Sequence, residues 1–450
     1  MTRVMITESY LEAVGNAIRT KLGVQRSFAP SEMADAILSI STGAPTGSGR
    51  EKEIVDRTLL GAYSNTAITK TGNYAFAECS RLTEVKLANC ETIGKAAFDQ
   101  CSRLTIASFP VCEMIGESAF RSCTKLKTIS FPMCFTISSQ AFFGCSSLEA
   151  AIFPSCEYVG ESAFALCGSL RSIDFPLCET VRSYVFQSCS SVGEAVFPIC
   201  QTVESGAFTQ CSALSSISFP ECRLVGQNAF AYCKSLTAVD FPKCTTISSG
   251  AFSGCTNLGE ISFPLCGYIG YGAFTSCGLS EAVFPACATV GPSAFIFCSR
   301  LSMVSFPICQ SLFNNAFESC SLRYADFPMA ASVGSAAFRY CASLSMISLP
   351  ICSIIYSYAF VGTGLTAFSL PMGKTIYGGA FTNCTRLVSL YLMGSSMVTL
   401  ASAAFASTPM MQYSYTGAYG SIYVPASLYS SYIKASYWSA MSARFVSVAT

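Results

Sequence analysis

The chain has 450 residues, of which 51% are hydrophobic and 12% charged, with 27 basic residues against 26 acidic ones and no histidine. A formal net charge of +1 gives no general electrostatic case for nucleic acid or anionic lipid as a partner. The missing imidazole excludes Ser-His-Asp and Cys-His catalysis together with every histidine-bound metal.

The first eight residues, Met1 to Glu8, hold no apolar core and no small-residue cleavage site, so no secretory signal is expected there. Thr7 is placed to cap a helix whose Leu11, Val14, Ile18 and Leu22 share one face, with Gly23 as its stop. Pro30 then opens a second short helix carrying Met33, Ile37 and Ile40. Two such helices are too small to hold a core of their own, so residues 1–40 are expected to form an anchoring or oligomerisation module. Residues 41–50 are rich in Gly, Ser, Thr and Pro and read as a flexible linker. Residues 51–75 are expected to form an N-terminal cap, with Glu53 to Leu60 as a strand covering the first coil.

From Phe76 to Phe405 the phenylalanine of an Ala-Phe-x-x-Cys unit returns about every 22 residues. A chain periodic over this length is a solenoid, whose coils bury their apolar faces only against their neighbours. In the unit that runs from Phe109 to Phe131, Leu126, Ile129 and Phe131 point inward around a short strand and Ser130 points outward. Pro132 ends the pairing because it has no N–H to give, and Ile137 re-enters the core before Ser139 to Phe142 close the coil. Glycine follows the core Ile or Val at Gly94, Gly116, Gly160, Gly226, Gly270 and Gly291, yet Ser138, Arg182, Glu204 and Phe313 occupy the same column. Positive φ is therefore not required at that column. The longest uncharged stretch, Leu390 to Met411, reads as a repeat variant, and no apolar run is long and uninterrupted enough for a membrane span.

All 26 cysteines fall in two columns. Fourteen stand three residues after the repeat Phe, from Cys79 to Cys384, and twelve follow a Phe-Pro-x or its equivalent, from Cys90 to Cys352. There is no C-x-x-C, so a structural zinc or iron–sulfur site is not expected. Coils about 4.8 Å apart make a disulfide between neighbouring coils geometrically conceivable. A uniform ladder specifies no unique partner, however, and reduced, buried thiols are expected.

The pattern Ile-Gly-x-x-Ala-Phe-x-x-Cys-x-x-Leu-x-x-Ile-x-Phe-Pro resembles the BspA-like leucine-rich repeats over residues 66 to 410. The resemblance implies about 15–16 coils with short parallel strands over residues 76–410, a recognition scaffold, and no catalytic repeat residues. The chain departs from the pattern near Ala330, Thr363 and Gly373. Residues 10–40 resemble a short helical motif of phage tail and minor structural proteins, which implies other virion tail proteins as partners of this module. At the far end, Ile422 to Pro425 and Ser427 to Trp438 look like the closing strand and helix found after such arrays, within a cap of residues 411–450. Trp438, the sole tryptophan, reads as a plug on the last coil.

The carboxylates, among them Glu149, Glu157, Glu161, Asp174, Glu179, Glu194, Asp240, Glu260 and Asp326, recur in no fixed pair, so a glycosidase dyad is not expected. Neither catalytic residues, cofactor nor metal is assigned. Arg81, Arg103 and Lys125 share one repeat column and read as three stacked cations on a solvated face. Aromatics that the core does not require stand at Phe135, Phe143, Tyr158, Tyr232, Tyr268, Tyr271, Phe297 and Tyr340, and these are the candidate ligand contacts. Leu11, Val14, Ile18, Leu22, Met33 and Ile37 are the candidate anchoring residues. The expected function is that of a non-enzymatic virion protein made in the host cytoplasm. It would be a tail-associated fibre or receptor-binding component, anchored by residues 1–40, trimeric as anchored fibres often are, and bound through the solenoid to a host glycan or protein. A bacterial surface adhesin and an architectural virion decoration are the alternatives.

Overall fold

The structure is a computed structural model that describes Ile54, residues 57–411 and residues 420–449. The expected anchoring helices with Leu11, Val14, Ile18, Leu22, Met33 and Ile37, and the linker 41–50, lie outside the described residues.

Two adjacent strand columns define the architecture, a parallel β-solenoid of about 17 coils of about 22 residues. Each coil contributes a three-residue strand to a first ladder and a two-residue strand to a second. Contacts divide the chain into two compact units, one reaching Cys200 and including Ala207–Leu214, the other formed by Gln201–Gly206 and the chain from Ser215 onward. In the first unit, Ile106–Ser108 pairs in parallel with Thr128–Ser130. The second ladder there runs through Met114–Ile115, Thr136–Ile137 and Tyr158–Val159. In the second unit the same two-residue column continues without a break from Thr202–Val203 to Thr399–Leu400. Its three-residue column includes Glu281–Val283, Met303–Ser305, Tyr324–Asp326 and Met346–Ser348, joined edge to edge.

The third side of each coil contains no strand. Ala97, Asp99 and Cys101 donate their N–H groups to the carbonyls of Gly94, Ala96 and Phe98, which makes three overlapping turns. The alternate N–H groups of Ala96, Phe98 and Gln100 donate to Glu117, Ala119 and Arg121 of the next coil at 2.7–2.8 Å. Backbone polar groups on this side are thus paired as fully as in a ladder. Such a chain of turns needs a left-handed residue on each side of the Ala-Phe pair. Ala96 and Gln100 have φ of 50° and 59°, and the same two columns are left-handed in coil after coil. The glycine-bearing column after the core Ile or Val has no positive φ at Gly94, Gly116, Gly160, Gly226, Gly270 or Gly291. Glycine is used there for close approach: a Cβ on Gly116 would sit 2.7 Å from the Gly94 and Ile93 backbone of the preceding coil.

The core is two columns of stacked phenylalanine. Phe76, Phe98, Phe120, Phe142 and Phe164 stack with ring centroids 4.8–5.2 Å apart. Phe109 and Phe131 stack at 5.2 Å in the other column and meet Phe120 edge to face at 5.9 Å. Each buried ring contributes roughly 2–3 kcal/mol through area removed from water, and the ring pairs add about 0.5–1.5 kcal/mol. Leu126 and Phe131 are fully buried as expected, whereas Ile129 is half-buried. The departures from the pattern leave the coil intact: Ala330 and Thr363 take the places of cysteines and are buried in them.

Two expectations are corrected at the ends. The strand covering the first coil is Gly61–Ser64, paired in parallel with Leu82–Lys86, and Arg57 to Leu60 lie before it outside any strand. Leu59 in that segment is fully buried, and Gly61, at the start of the strand, has a φ of 77°. At the other end, the expected helix extending to Trp438 stops earlier. Helix α1 is Ala426–Tyr432, followed by a 3-10 turn at Ser439–Arg444 and a last strand, Phe445–Val448, that pairs with Ser421–Pro425. Trp438 is buried as a plug: its indole Nε1–H donates to the Val398 carbonyl at 2.8 Å, and the Tyr432 hydroxyl accepts the Val398 N–H at 2.9 Å.

Candidate functional site

All 26 thiols are free and buried. Their hydrogen bonds explain why two separate columns accept cysteine. In the column after the repeat Phe, the thiol donates to the Phe carbonyl of the preceding coil, as from Cys123 to Phe98 and from Cys145 to Phe120, both at 3.1 Å. In the column after Pro-x, it donates to the carbonyl two residues on, as from Cys134 to Thr136 at 3.3 Å. Burial pushes the Cys112, Cys134 and Cys244 thiols up from 9.0 to about 12, and Cys123 and Cys189 are also well above the ordinary value for the same reason. A thiol held protonated is neither a nucleophile nor a metal ligand. Among the described residues no group of three or more Cys, Asp or Glu could hold a metal ion, and no helix is long and apolar enough to cross a membrane.

Chemistry directed at solvent therefore comes from the outward columns. Tyr158 and Tyr268 stand on the outward position of the two-residue strands and are exposed. The Arg182 guanidinium lies 4.5 Å from the Tyr158 ring centroid. Phe135 is exposed in the coil before Tyr158, whose N–H donates to the Phe135 carbonyl, so these two are neighbours. Tyr271, 62% exposed, is the most open of the eight, while Phe143 is only partly exposed. Tyr232, Phe297 and Tyr340 share a left-handed column at φ of 61–63°. The Tyr232 and Tyr340 rings lie over Gly254 and Gly362 of the next coil, where a Cβ would stand 2.6 Å and 3.3 Å from them. The eight residues are thus spread over several columns and do not converge on one pocket.

Several outward residues were missed in the sequence. Tyr184 and Tyr358 occupy the other left-handed column, and Tyr356 and Tyr377 stack at 5.2 Å in neighbouring coils. Met133, Leu265, Ile308, Met329 and Met372 are exposed at the residue after the repeat proline. The available signal was the column itself, since this residue stands between the proline and the buried position of the second thiol column.

Several opposite charges are matched between neighbouring coils. The Arg121 guanidinium bonds the Asp99 carboxylate at 2.9 and 2.8 Å, Lys95 meets Glu117 at 3.0 Å, and Lys243 meets Glu221 at 2.6 Å. Glu318 pairs with Arg339 in the same fashion. Along the early coils, Glu78, Ser80, Gln100, Ser102 and Ser122 line an open groove of about 510 Å³.

The BspA type leucine rich repeat region matches this chain in six copies, over stretches running from residue 69 to residue 426. A leucine-rich repeat protein from Bacteroides ovatus is similar in structure at 21% identity and a TM-score of 0.52, covering 86% of this chain and 92% of that one. A leucine rich cell surface protein from Faecalibacterium prausnitzii is 18% identical over 75% of this chain and 88% of its own, at a TM-score of 0.38. The pneumococcal vaccine antigen PcpA is 16% identical over 76% and 78%, at a TM-score of 0.37. No curated protein matches the chain. With its repeats covered from residue 69 to residue 426, the chain belongs to the BspA type leucine-rich repeat family.

Proposed function

We propose that this protein is a non-enzymatic recognition scaffold that attaches its bearer to a host surface. The observation that carries the reading is the set of exposed aromatic side chains on backbone fixed by the coil register, Tyr158 and Tyr268 on ladder strands and Tyr232 and Tyr340 laid over glycines. Rings held this way lose little conformational freedom on binding, and a Tyr offers both an apolar face and a hydroxyl to a glycan or a protein. At the finer level we assign the bearer as a phage tail, with residues 1–40 joined to other tail proteins, a trimeric assembly, and the solenoid facing a host glycan or protein. The tail-like sequence of residues 10–40 and the Gly/Ser-rich linker after it support this assignment. Family membership favours a second reading, a bacterial surface adhesin.

Mass spectrometry of density-banded virus particles separates the two. Recovery at fixed stoichiometry supports the tail reading, and recovery in cell envelopes alone overturns it in favour of the adhesin. Replacing Tyr158 and Tyr268 with Ala should lower attachment. Full attachment by that variant removes both rings from the contact surface.

A further inference from the structure

We propose that the first coils carry a binding site for an acidic glycan, formed by Arg81, Arg103 and Lys125 beside the open groove. The proposal rests on the recognition-scaffold reading and names the ligand class at one place on it.

The three cations occupy equivalent positions in three consecutive tight turns. Leu82, Leu104 and Leu126 donate their N–H groups to Cys79, Cys101 and Cys123 at 2.9–3.0 Å. Each turn therefore places a Ser or Thr followed by a cation at its tip: Ser80-Arg81, Ser102-Arg103 and Thr124-Lys125. Buried leucines anchor the three turns from below. The spacing is set by the coils themselves, whose Phe76, Phe98 and Phe120 rings stack at 4.8 and 5.0 Å. A row of cations advancing by one coil spacing matches the length of a single pyranose ring between its linking oxygens, so successive sugars could each meet one cation.

The stack differs from the paired charges beside it. Neighbouring coils here pair opposite charges, Asp99 with Arg121 and Lys95 with Glu117. Glu78 is held by Arg57 and Glu84 by Lys86. Those pairs occupy Glu78, Glu84, Asp99 and Glu117, whereas Arg81, Arg103 and Lys125 form no ion pair among the described residues, are exposed, and repel one another. The column loses its charge immediately afterwards, at Ser147, Ser169 and Ser191. The positive row is thus confined to the coils that form the groove, whose lining is Ser80, Gln100, Ser102 and Ser122, hydroxyl and amide partners for sugar hydroxyls, together with Glu78, whose carboxylate is paired with Arg57. No aromatic side chain lines the groove to stack on bases, which disfavours single-stranded nucleic acid.

The test measures binding of the full-length protein to a heparin oligosaccharide, to oligogalacturonate, to neutral dextran and to an oligothymidylate of matched charge. One variant is R81A/R103A/K125A. The control variant is R300A/R386A, which removes two unstacked arginines from the same column. Thermal melts establish that both variants fold. We expect one of the acidic saccharides to bind with a steep salt dependence, the triple variant to lose roughly tenfold or more in affinity, and the control to stay within about twofold. Unchanged saccharide binding by the triple variant overturns the proposal, as does tighter binding of oligothymidylate than of either saccharide. If the triple variant binds saccharide normally while deletion of the solenoid abolishes attachment, the glycan site fails and the recognition scaffold stands.

Discussion

A cysteine in either ladder acts as a small apolar side chain whose thiol donates to a carbonyl, and its titration follows from burial. Cys112, Cys134 and Cys244 have folded values near 12 against 9.0 when unperturbed. Above pH 9 the unfolded chain loses protons that the folded chain keeps, so the unfolded state binds fewer protons and stability falls as pH rises. The stabilisation is complete below the unfolded value of 9.0 and is lost on the way to about 12. Each such thiol steepens the loss by up to about 1.4 kcal/mol per pH unit. Urea-unfolding midpoints should therefore be level below pH 9 and drop sharply above it, and a flat profile through the alkaline range would contradict the burial argument. At Gly116 the relevant force is steric. G116A drives a Cβ to 2.7 Å from the Gly94 and Ile93 backbone and should cost about 1–3 kcal/mol as overpacking. G193A, where nothing lies within 4 Å, should stay within about 0.5 kcal/mol. Equal melting temperatures for the two variants would refute the close-approach account.

Strands of two and three residues would not persist alone, and they are held here by their place in a ladder and by the stacked rings beneath. The C-terminal cap supplies the last partner. Trp438 packs 5.5 Å from Tyr432 and 6.0 Å from Phe405, and both its indole and the Tyr432 hydroxyl are bonded to Val398. W438A should cost roughly 3–5 kcal/mol in the coils next to it. Hydrogen exchange checks this: amides in 388–411 and 420–448 should exchange faster, while those in 263–327 keep their protection. Equal acceleration in all three stretches would mean that the cap stabilises the array globally. The strand columns and the plug were legible in the sequence, because Leu, Ile and Phe-Pro recur in a fixed order and one Trp stands where a cap is needed. The left-handed columns were not: Tyr74, Ala96, Ser118 and Gln140 all adopt positive φ, and a column that admits Tyr, Ala, Ser and Gln carries no compositional mark of its backbone.

At the scale of the whole molecule, stability should be a sum of coil terms and nearest-neighbour terms. Removing Phe241 to Ser262 takes out one full coil, since Leu224, Thr246 and Tyr268 are consecutive register partners. That deletion should leave a folded protein with buried Trp438 emission. Removing only Phe241 to Ala251 brings one phenylalanine column against the other and should give an aggregated product by size-exclusion chromatography. Retention of a folded monomer after the half-coil deletion would show that register is not fixed by the two columns.

The repeat, the inward residues, the two thiol columns and the closing Trp were determined by the sequence alone. Periodicity in side-chain polarity reports directly which positions face a common core. Tertiary structure decided the rest. Only the stacking of coils sets the row of Arg81, Arg103 and Lys125, itself legible as a repeat column, beside a groove, and lays Tyr232 and Tyr340 over Gly254 and Gly362. Those relations join residues about 22 positions apart. They depend on the direction in which each outward side chain leaves its turn, and a local pattern of residue types does not specify that direction.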